Sequence, residues 1–247
     1  MSVSKFFPEV VMKKVGIIIF AAALIMGLVV SNIFSFGRMR DSLFHFSINF
    51  KGEKGSGKIA TEQRDVKGFK AIEVGGAFLV EIAAQKDFSV EVEADDNLLP
   101  LIKTEVDDGV LKIESEGRLS PTGQIKVRIS APDINSLDVS GAANLTLNNV
   151  KNSAITVDSS GAAKIKITGE TTKLAIDVSG ASKIDADKLK ASNANVDASG
   201  ASHVEINVSD ELSVDASGAS RIVYSGTPSA VHKKTSGASS VSQKNAD

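Results

Sequence analysis

A short tandem repeat dominates the C-terminal half of this 247-residue chain. The tetrapeptide Ser-Gly-Ala-(Ala/Ser) occurs six times at intervals of 18 to 20 residues, with its glycine at Gly141, Gly161, Gly180, Gly200, Gly218 and Gly237. A unit of this length is too small to bury an apolar face of its own, so its copies must bury one another by stacking. The repeat, at 137–241, therefore restricts the chain to repeat architectures.

Apolar and polar residues alternate on both sides of the first five glycines. Four residues before each glycine stand Leu137, Val157, Ile176, Val196 and Val214, and four residues after it stand Leu145, Ile165, Ile184, Val204 and Ile222. A period of two is the pattern of a β-strand. The sequence predicts an all-β fold, a single-stranded parallel β-helix (β-solenoid) with rungs of 18–20 residues and three short strands a rung. The Ser-Gly-Ala residues would form a corner where a larger side chain would crowd the next rung.

The preceding residues, 66–135, repeat this alternation less regularly and are predicted to continue the same domain. A turn of the hairpin type is expected at Asp108-Gly109, and residues 97–102 are the one predicted helical turn of the domain. Almost all aromatic residues precede the tandem copies. We expect two of them, Phe78 and Phe88, to plug the N-terminal end of the core.

The sixth copy departs from the pattern of the other five. Lys233 and Lys234 stand where the apolar residue and the following aspartate are expected. Pro228, which cannot donate a backbone hydrogen bond to a ladder, lies between the fifth and sixth copies. We predict that the sixth copy is a polar cap, which shields the open end of the solenoid from pairing with other chains.

The N-terminal segment has a different composition. Residues 15–36 are an uncharged, mostly apolar run, and a helix of that length rises about 33 Å, enough to cross the hydrocarbon core of a bilayer. We predict an uncleaved transmembrane helix at 15–36 that follows a cytoplasmic N-terminus at 1–14. Residues 37–65 are predicted to be a linker, within which the charged, glycine-rich residues 51–58 favour a flexible tether. The C-terminal domain of this single-pass membrane protein would then be extracytoplasmic.

Composition excludes several classes of function. The chain has no cysteine, which rules out disulfide frameworks, thiolate metal sites and cysteine nucleophiles. Basic and acidic side chains number 28 and 30 in all, and beyond residue 50 the acidic ones are in clear excess. A mildly acidic domain disfavours binding to nucleic acid through phosphate contacts. We therefore expect no nucleic-acid partner.

The order of the motifs resembles that of a known family. A Gly-Gly-Ala bend follows Phe69, the acidic run Glu91-Val-Glu-Ala-Asp-Asp-Asn-Leu-Leu comes next, and Leu111-Lys-Ile and the Ser-Gly-Ala tandem follow. Over residues 66–245 the sequence is similar to the auto-transporter adhesin head GIN domain family. The resemblance implies a β-helical domain of the bacterial envelope. It carries over no catalytic or binding residue, because the family pattern defines structure alone.

The strongest candidates for ligand binding are the aspartates three residues before the first five glycines. They are Asp138, Asp158, Asp177, Asp197 and Asp215. Stacked in register they would form a ladder at a spacing of about 4.8 Å, and two neighbouring carboxylates could bridge Ca²⁺ with help from the nearby serine hydroxyls. We favour the alternative, a solvated polar edge whose carboxylates accept hydrogen bonds at the corner. We therefore predict no metal site and no cofactor, and expect calorimetry to show no heat with Ca²⁺.

No constellation in the sequence points to catalysis. The three histidines, His45 in the N-terminal segment, His203 in an outward slot of a repeat and His232 near the cap, have no partner at a catalytic spacing. We predict a membrane-anchored, non-enzymatic β-solenoid, an adhesin-like binding or envelope-structural module. Its partners would be the membrane, through the N-terminal helix, and a polymer or protein of the cell surface. The alternatives are a self-assembling membrane scaffold and a cation-dependent or carbohydrate-active β-helix.

Overall fold

The computed structural model describes residues 52–244. The predicted cytoplasmic N-terminus at 1–14 and transmembrane helix at 15–36 lie outside these residues, and no helix within 52–244 is long and apolar enough to cross a membrane. A 3₁₀ turn at Leu99–Leu101 interrupts a succession of strands. The strands are β1 (Glu53–Lys54), β2 (Ile59–Arg64), β3 (Ala71–Gly76), β4 (Leu79–Ala84), β5 (Ser89–Asp95), β6 (Ile102–Asp107), β7 (Val110–Ser115), β8 (Leu119–Ser120), β9 (Lys126–Ala131), β10 (Ser136–Gly141), β11 (Asn144–Gly161), β12 (Lys164–Gly180), β13 (Lys183–Ala198), β14 (His203–Ala216), β15 (Arg221–Ser225), β16 (Ala230–Thr235) and β17 (Ser240–Gln243).

Successive repeats lie side by side in a single ladder. Its strand order is β17-β15-β14-β13-β12-β11-β10-β3-β7-β6, and every neighbouring pair from β17 to β7 is parallel. The copies pair at equal offsets, so that Gly161 lies opposite both Gly141 and Gly180. This register confirms the predicted all-β, parallel β-solenoid.

The rungs differ from the prediction in their strand content. Strands β11 to β14 are 18, 17, 16 and 14 residues long and continue from one corner to the next, where three short strands are predicted. The bend inside a rung comes with a shift of register, as between Leu147 and Val150, where Asn149 has a φ of +63°. A bulge bends a strand without ending its ladder. It also leaves no proline or turn signal, so the alternation alone cannot reveal that the strand continues.

Aliphatic columns form the core. The ten apolar residues predicted four before and four after the first five glycines are all buried, with at most 2% of their surface exposed. Between two corners a rung also buries side chains such as Ile206, Val208 and Leu212. Each fully buried side chain of this size contributes about 1.5–3 kcal/mol. Stacking therefore supplies most of what holds a rung in place, and it acts mainly between neighbouring rungs.

The irregular first half continues the stack and then closes it. Strands β3 and β4 pair in parallel with β10 and β11, whereas β2 and β5 pair antiparallel to each other. The predicted turn at Asp108-Gly109 joins β6 and β7 in an antiparallel hairpin. The predicted helical turn within 97–102 is the 3₁₀ turn.

One of the two predicted aromatic plugs does not lie in the core. Phe78 is buried, with 3% of its surface exposed, but Phe88 is 36% exposed. Its ring packs edge-on against Phe69, with 5.1 Å between the ring centroids. Phe69 is completely buried, so the prediction is wrong for Phe88, which covers Phe69 from the outside.

The predicted linker does not extend to residue 65, and the tether prediction for 51–58 is wrong from residue 53. Strand β1 pairs with β8, and β2 pairs with β5. The buried carboxylate of Asp95 accepts hydrogen bonds from the backbone N–H of Gly57 (2.8 Å) and from the hydroxyl (2.7 Å) and N–H (3.0 Å) of Thr122. These donors, the Thr122 hydroxyl first, hold the pKa of Asp95 below its usual value. Strand pairing and a carboxylate far along the chain thus hold a segment whose composition is typical of a tether.

The sixth copy forms the last strands of the described stack. Strands β16 and β17 pair with β14 and β15. Lys233 Nζ lies 4.9 Å from the centroid of the Tyr224 ring, and Lys234 Nζ lies 2.6 Å from a carboxylate oxygen of Asp215. Both lysines are exposed, and charged side chains on an edge strand disfavour pairing with another chain. The two lysines thus make this end of the stack polar, and its shielding from other chains stays a prediction.

Candidate functional site

The corner of each rung determines how the surface side chains line up. The N–H of Ala201 donates a hydrogen bond to the carbonyl oxygen of Gly180 (2.8 Å), and the same bond recurs at the other corners of the tandem copies. A Cβ added to Gly200 would lie within 3.0 Å of that oxygen, and Gly200 has a φ of +82°. Only glycine satisfies both conditions without strain. The corner therefore keeps the ladder unbroken, and it sets residues at equal offsets into columns.

The predicted aspartates form one such column. Asp138, Asp158, Asp177, Asp197 and Asp215 lie opposite one another in successive rungs. The structure adds Glu73, which lies opposite Asp138. We call these six residues the acidic column. All six side chains are exposed or half-buried.

A lysine stands at each end of the acidic column. Lys112 lies opposite Glu73, and Lys234 lies opposite Asp215. Glu73 and the pairing of Lys234 were not predicted, although both could have been found from their distance to the following glycine. Glu73 stands three residues before Gly76, and Lys234 three before Gly237, which is the spacing of every aspartate in the column.

Burial and repulsion both act on Asp158 in the acidic column. Burial first, and then the charges of Asp138 and Asp177, raise the pKa of Asp158 above its ordinary value. At the C-terminal end of the column the charges attract instead. The hydrogen bond to Asp215 stabilises the charged form of Lys234 and so raises its pKa. Asp158 therefore lies among charges of its own sign from the neighbouring rungs.

The five aspartates do not converge on a point where a metal ion could sit. Within residues 52–244 no three histidine, aspartate or glutamate side chains are grouped as metal ligands. Of the serines expected to assist, Ser140 donates its hydroxyl to the carbonyl oxygen of Val74 (3.4 Å). A column is linear, whereas Ca²⁺ takes six to eight oxygen ligands around it.

A row of serine hydroxyls lies inside the solenoid and was not predicted. Ser182, Ser202 and Ser220 occupy the second position after the glycine and are buried. The hydroxyl of Ser202 donates to that of Ser220 (3.1 Å), and Ser220 donates to the carbonyl oxygen of Ser217 (2.9 Å). These buried hydroxyls satisfy one another across rungs, as buried polar groups require. The available signal was the change at this offset from alanine in the first two copies to serine in the later four.

Basic residues form a column on the other side of the corner. Three residues after the glycine, the side chains of Lys164, Lys183, His203 and Arg221 follow one another in register. We call these four residues the basic column. His203 Nε2 lies 2.9 Å from Glu205, and Lys183 Nζ lies 3.6 Å from the same carboxylate. The hydrogen bond from His203 is the main cause of the lowered pKa of Glu205.

The histidines do not assemble with a nucleophile. His203 belongs to the basic column, and His232 lies 3.9 Å from Glu211 with most of its side chain exposed. His45 lies outside the described residues. The surface beside the corner thus carries one acidic and one basic column, an arrangement suited to binding along a face.

Sequence comparison connects this fold to a family. A family described as "Putative auto-transporter adhesin, head GIN domain" matches residues 68–228, which is most of the described domain. The chain belongs to this family. The family boundaries include the acidic column as far as Asp215 and the whole basic column. They leave out the sixth copy, so the lysine at the C-terminal end of the acidic column, Lys234, lies beyond the matched region.

One solved structure shares the fold of this head GIN domain, and two further structures match it less closely. A "putative adhesin" from Bacteroides fragilis is 19% identical, with a TM-score of 0.64, and the match covers 78% of this chain and 100% of the other. A "putative adhesin" from Parabacteroides distasonis is 20% identical over 78% and 100% of the chains, with a TM-score of 0.48. A "putative lipid binding protein" from the same species is 19% identical over 79% and 100%, with a TM-score of 0.49. No curated protein matches the chain in sequence.

Proposed function

We propose that this chain is a membrane-anchored, non-enzymatic head GIN solenoid that acts outside the cytoplasm as an adhesin-like binding module. The uncharged run at 15–36 would anchor it as a single-pass membrane protein, and the domain would contact a polymer or protein of the cell surface. The observation that carries the proposal is the pair of charged columns on an in-register stack. Such columns repeat one weak contact at equal intervals, and repeated weak contacts add up to firm attachment.

The adhesin family supports this reading over an enzymatic one. The family and the structure from Bacteroides fragilis are described as adhesins, not as enzymes. Carbohydrate-active solenoids commonly use aromatic side chains to stack on sugars, whereas the only aromatic residue after Phe88 is Tyr224, which is buried.

End-to-end assembly, the scaffold alternative, is disfavoured by the last strand of the stack. Strand β16 presents the exposed side chains of His232, Lys233 and Lys234. A second solenoid that paired with this edge would have to accommodate their charges in its own ladder. Charged residues on an edge strand are a common protection against such pairing.

Cysteine labelling in intact cells tests the proposed location. The chain has no cysteine, so a single Lys190→Cys variant of the full chain gives one exposed thiol on β13. We expect a small membrane-impermeant maleimide to label it in intact cells, and the chain to stay in the membrane fraction after a carbonate wash. Ala186→Cys is the matched control on the same strand, because Ala186 is completely buried and should not react in the folded protein.

Two results would overturn the proposal. Labelling of Lys190→Cys only after lysis would place the domain in the cytoplasm, and release by carbonate would remove the anchor. Labelling of Ala186→Cys at the rate of Lys190→Cys would show that the chain is unfolded, and the assay would then be repeated at a second exposed position such as Glu170.

A further inference from the structure

Four consecutive rungs carry an acid on one side of the corner and a base on the other. The acids are Asp158, Asp177, Asp197 and Asp215, three residues before the glycine, and the bases are Lys164, Lys183, His203 and Arg221, three residues after it. Both columns run along the same stack and share its spacing of about 4.8 Å. Apart from the buried Val178, the residues between the two columns in these rungs are glycine, alanine and serine.

Most of these charges are not neutralised within the chain. Among the described residues, Asp158, Asp177 and Asp197 have no basic group within 4.0 Å. Lys164 and Arg221 have no acidic group within that distance. The ion pairs that these eight residues do make involve Lys183, His203 and Asp215. The acidic and basic columns of one molecule therefore flank the corner without pairing with each other. Three consecutive rungs of the acidic column are uncompensated, whereas Lys183 and His203 of the basic column share Glu205.

We propose that two copies of this chain associate side by side, with the acidic column of one against the basic column of the other. Charge complementarity and a common period support the second copy as the partner. Because both columns belong to identical stacks, a match at one rung is a match at the next, whereas a ligand of another period would drift out of register. The contact uses different surfaces on the two molecules, so each member keeps one free column and the association can continue into a row.

This inference does not depend on the proposed location or anchor, because it rests on the charges of the described domain alone. An anionic polymer is the competing partner. It would bind the basic column and leave the acidic column without a role, which gives the two ideas different outcomes in the same experiment.

Reciprocal charge reversal tests the pairing. The first variant of the full chain carries Asp158→Lys, Asp177→Lys and Asp197→Lys, so that three consecutive rungs of its acidic column become basic. The second carries Lys164→Glu, Lys183→Glu and Arg221→Glu, so that both of its columns are acidic. Sedimentation in detergent would follow the mass of each, alone and mixed, at 20 mM and 500 mM NaCl.

We expect the unmodified chain to self-associate at low salt, and its apparent dissociation constant to rise about tenfold or more at high salt, where exposed charges are screened. Each variant alone should be monomeric, and an equimolar mixture should associate again. An unmodified chain that stays monomeric at every concentration would overturn the proposal, as would a mixture that fails to associate. Dextran sulfate that binds the unmodified monomer but not the second variant would assign the basic column to a polyanion instead.

Cross-linking provides a second test should a triple variant fail to fold. Asp177→Cys and Lys183→Cys chains, mixed and oxidised, should give a disulfide-linked dimer of the two different variants. Glu170→Cys mixed with Lys190→Cys is the matched control, because these exposed residues are also an acid and a base in register but belong to neither column. Equal cross-linking of both pairs would mean random collision and would refute the interface.

Discussion

Replacing the corner glycine Gly200 by alanine should destabilise the solenoid through two separable effects. The φ of +82° at this position costs an L-residue about 1–2 kcal/mol. The added Cβ would also press on the carbonyl oxygen of Gly180, which accepts the hydrogen bond from Ala201. Overpacking against backbone costs about 1–3 kcal/mol. We therefore expect a total loss of about 2–5 kcal/mol in the free energy of unfolding.

Gly68→Ala is the matched control, because it separates the two effects. Gly68 has a φ of +84°, almost the value at Gly200, but a Cβ there would meet nothing within 4 Å. We expect this variant to lose only the conformational part, about 1–2 kcal/mol. The difference between the two variants, about 2 kcal/mol, measures the crowding of one rung by the next.

Urea unfolding followed by circular dichroism measures this difference. With a slope of about 2 kcal/mol per molar urea, the Gly200→Ala midpoint should lie about 1 M below that of Gly68→Ala. Equal midpoints would show that the corner is not limited by the preceding rung. Glycine would then recur there for its backbone conformation alone, and the steric explanation of the corner glycine would be refuted.

Three further substitutions test the remaining contacts. Asp95→Asn should loosen the segment at Gly57 and speed tryptic cleavage after Lys58, whereas Asp65→Asn, at an exposed site, should not. Because the pKa of Asp95 is lowered, the wild-type contact should be lost as the pH falls through that pKa. Asp158→Asn should raise the melting temperature at pH 7, because the raised pKa of Asp158 means that its ionised form destabilises the folded state. The gain should vanish below the ordinary pKa of 3.8, where the carboxyl group is protonated in both states. A gain that persists there would contradict the repulsion. Ile184→Ala, in the core, should cost about 2–5 kcal/mol by urea titration, against at most about 0.5 kcal/mol for Lys183→Ala next to it.

The tandem half of the fold was predictable because its rules are local. A residue four positions from a glycine is buried in every one of five copies, so the alternation around Ile184 or Val204 was enough to place it in the core. The first half was harder, because its closing contacts join distant residues. Asp95 holds Gly57 and Thr122 in place, and nothing in the composition of 51–58 reveals a partner so far along the chain.

The candidate site divides in the same way. Register predicted the acidic column as soon as the aspartates shared one offset. It could also have predicted Glu73 and Lys234, had the offset been followed into the irregular copies. Side-chain pairs such as His203 with Glu205 could not be derived, because they depend on rotamers. The position of Phe88 was missed for a related reason: hydrophobicity alone does not say which of two nearby aromatic rings lies beneath the other.

The same register stacks equivalent residues in the core and on the surface, but with different energetic results. The register that places an aliphatic side chain on an aliphatic side chain must also place charge on charge. Two carboxylates about 4.8 Å apart repel by about 0.9 kcal/mol in water, and salt reduces this further. A rung gains several times more from each pair of buried aliphatic side chains. The fold therefore tolerates the column without a bound cation. Its charges are not needed for folding, and they remain free to act on a partner.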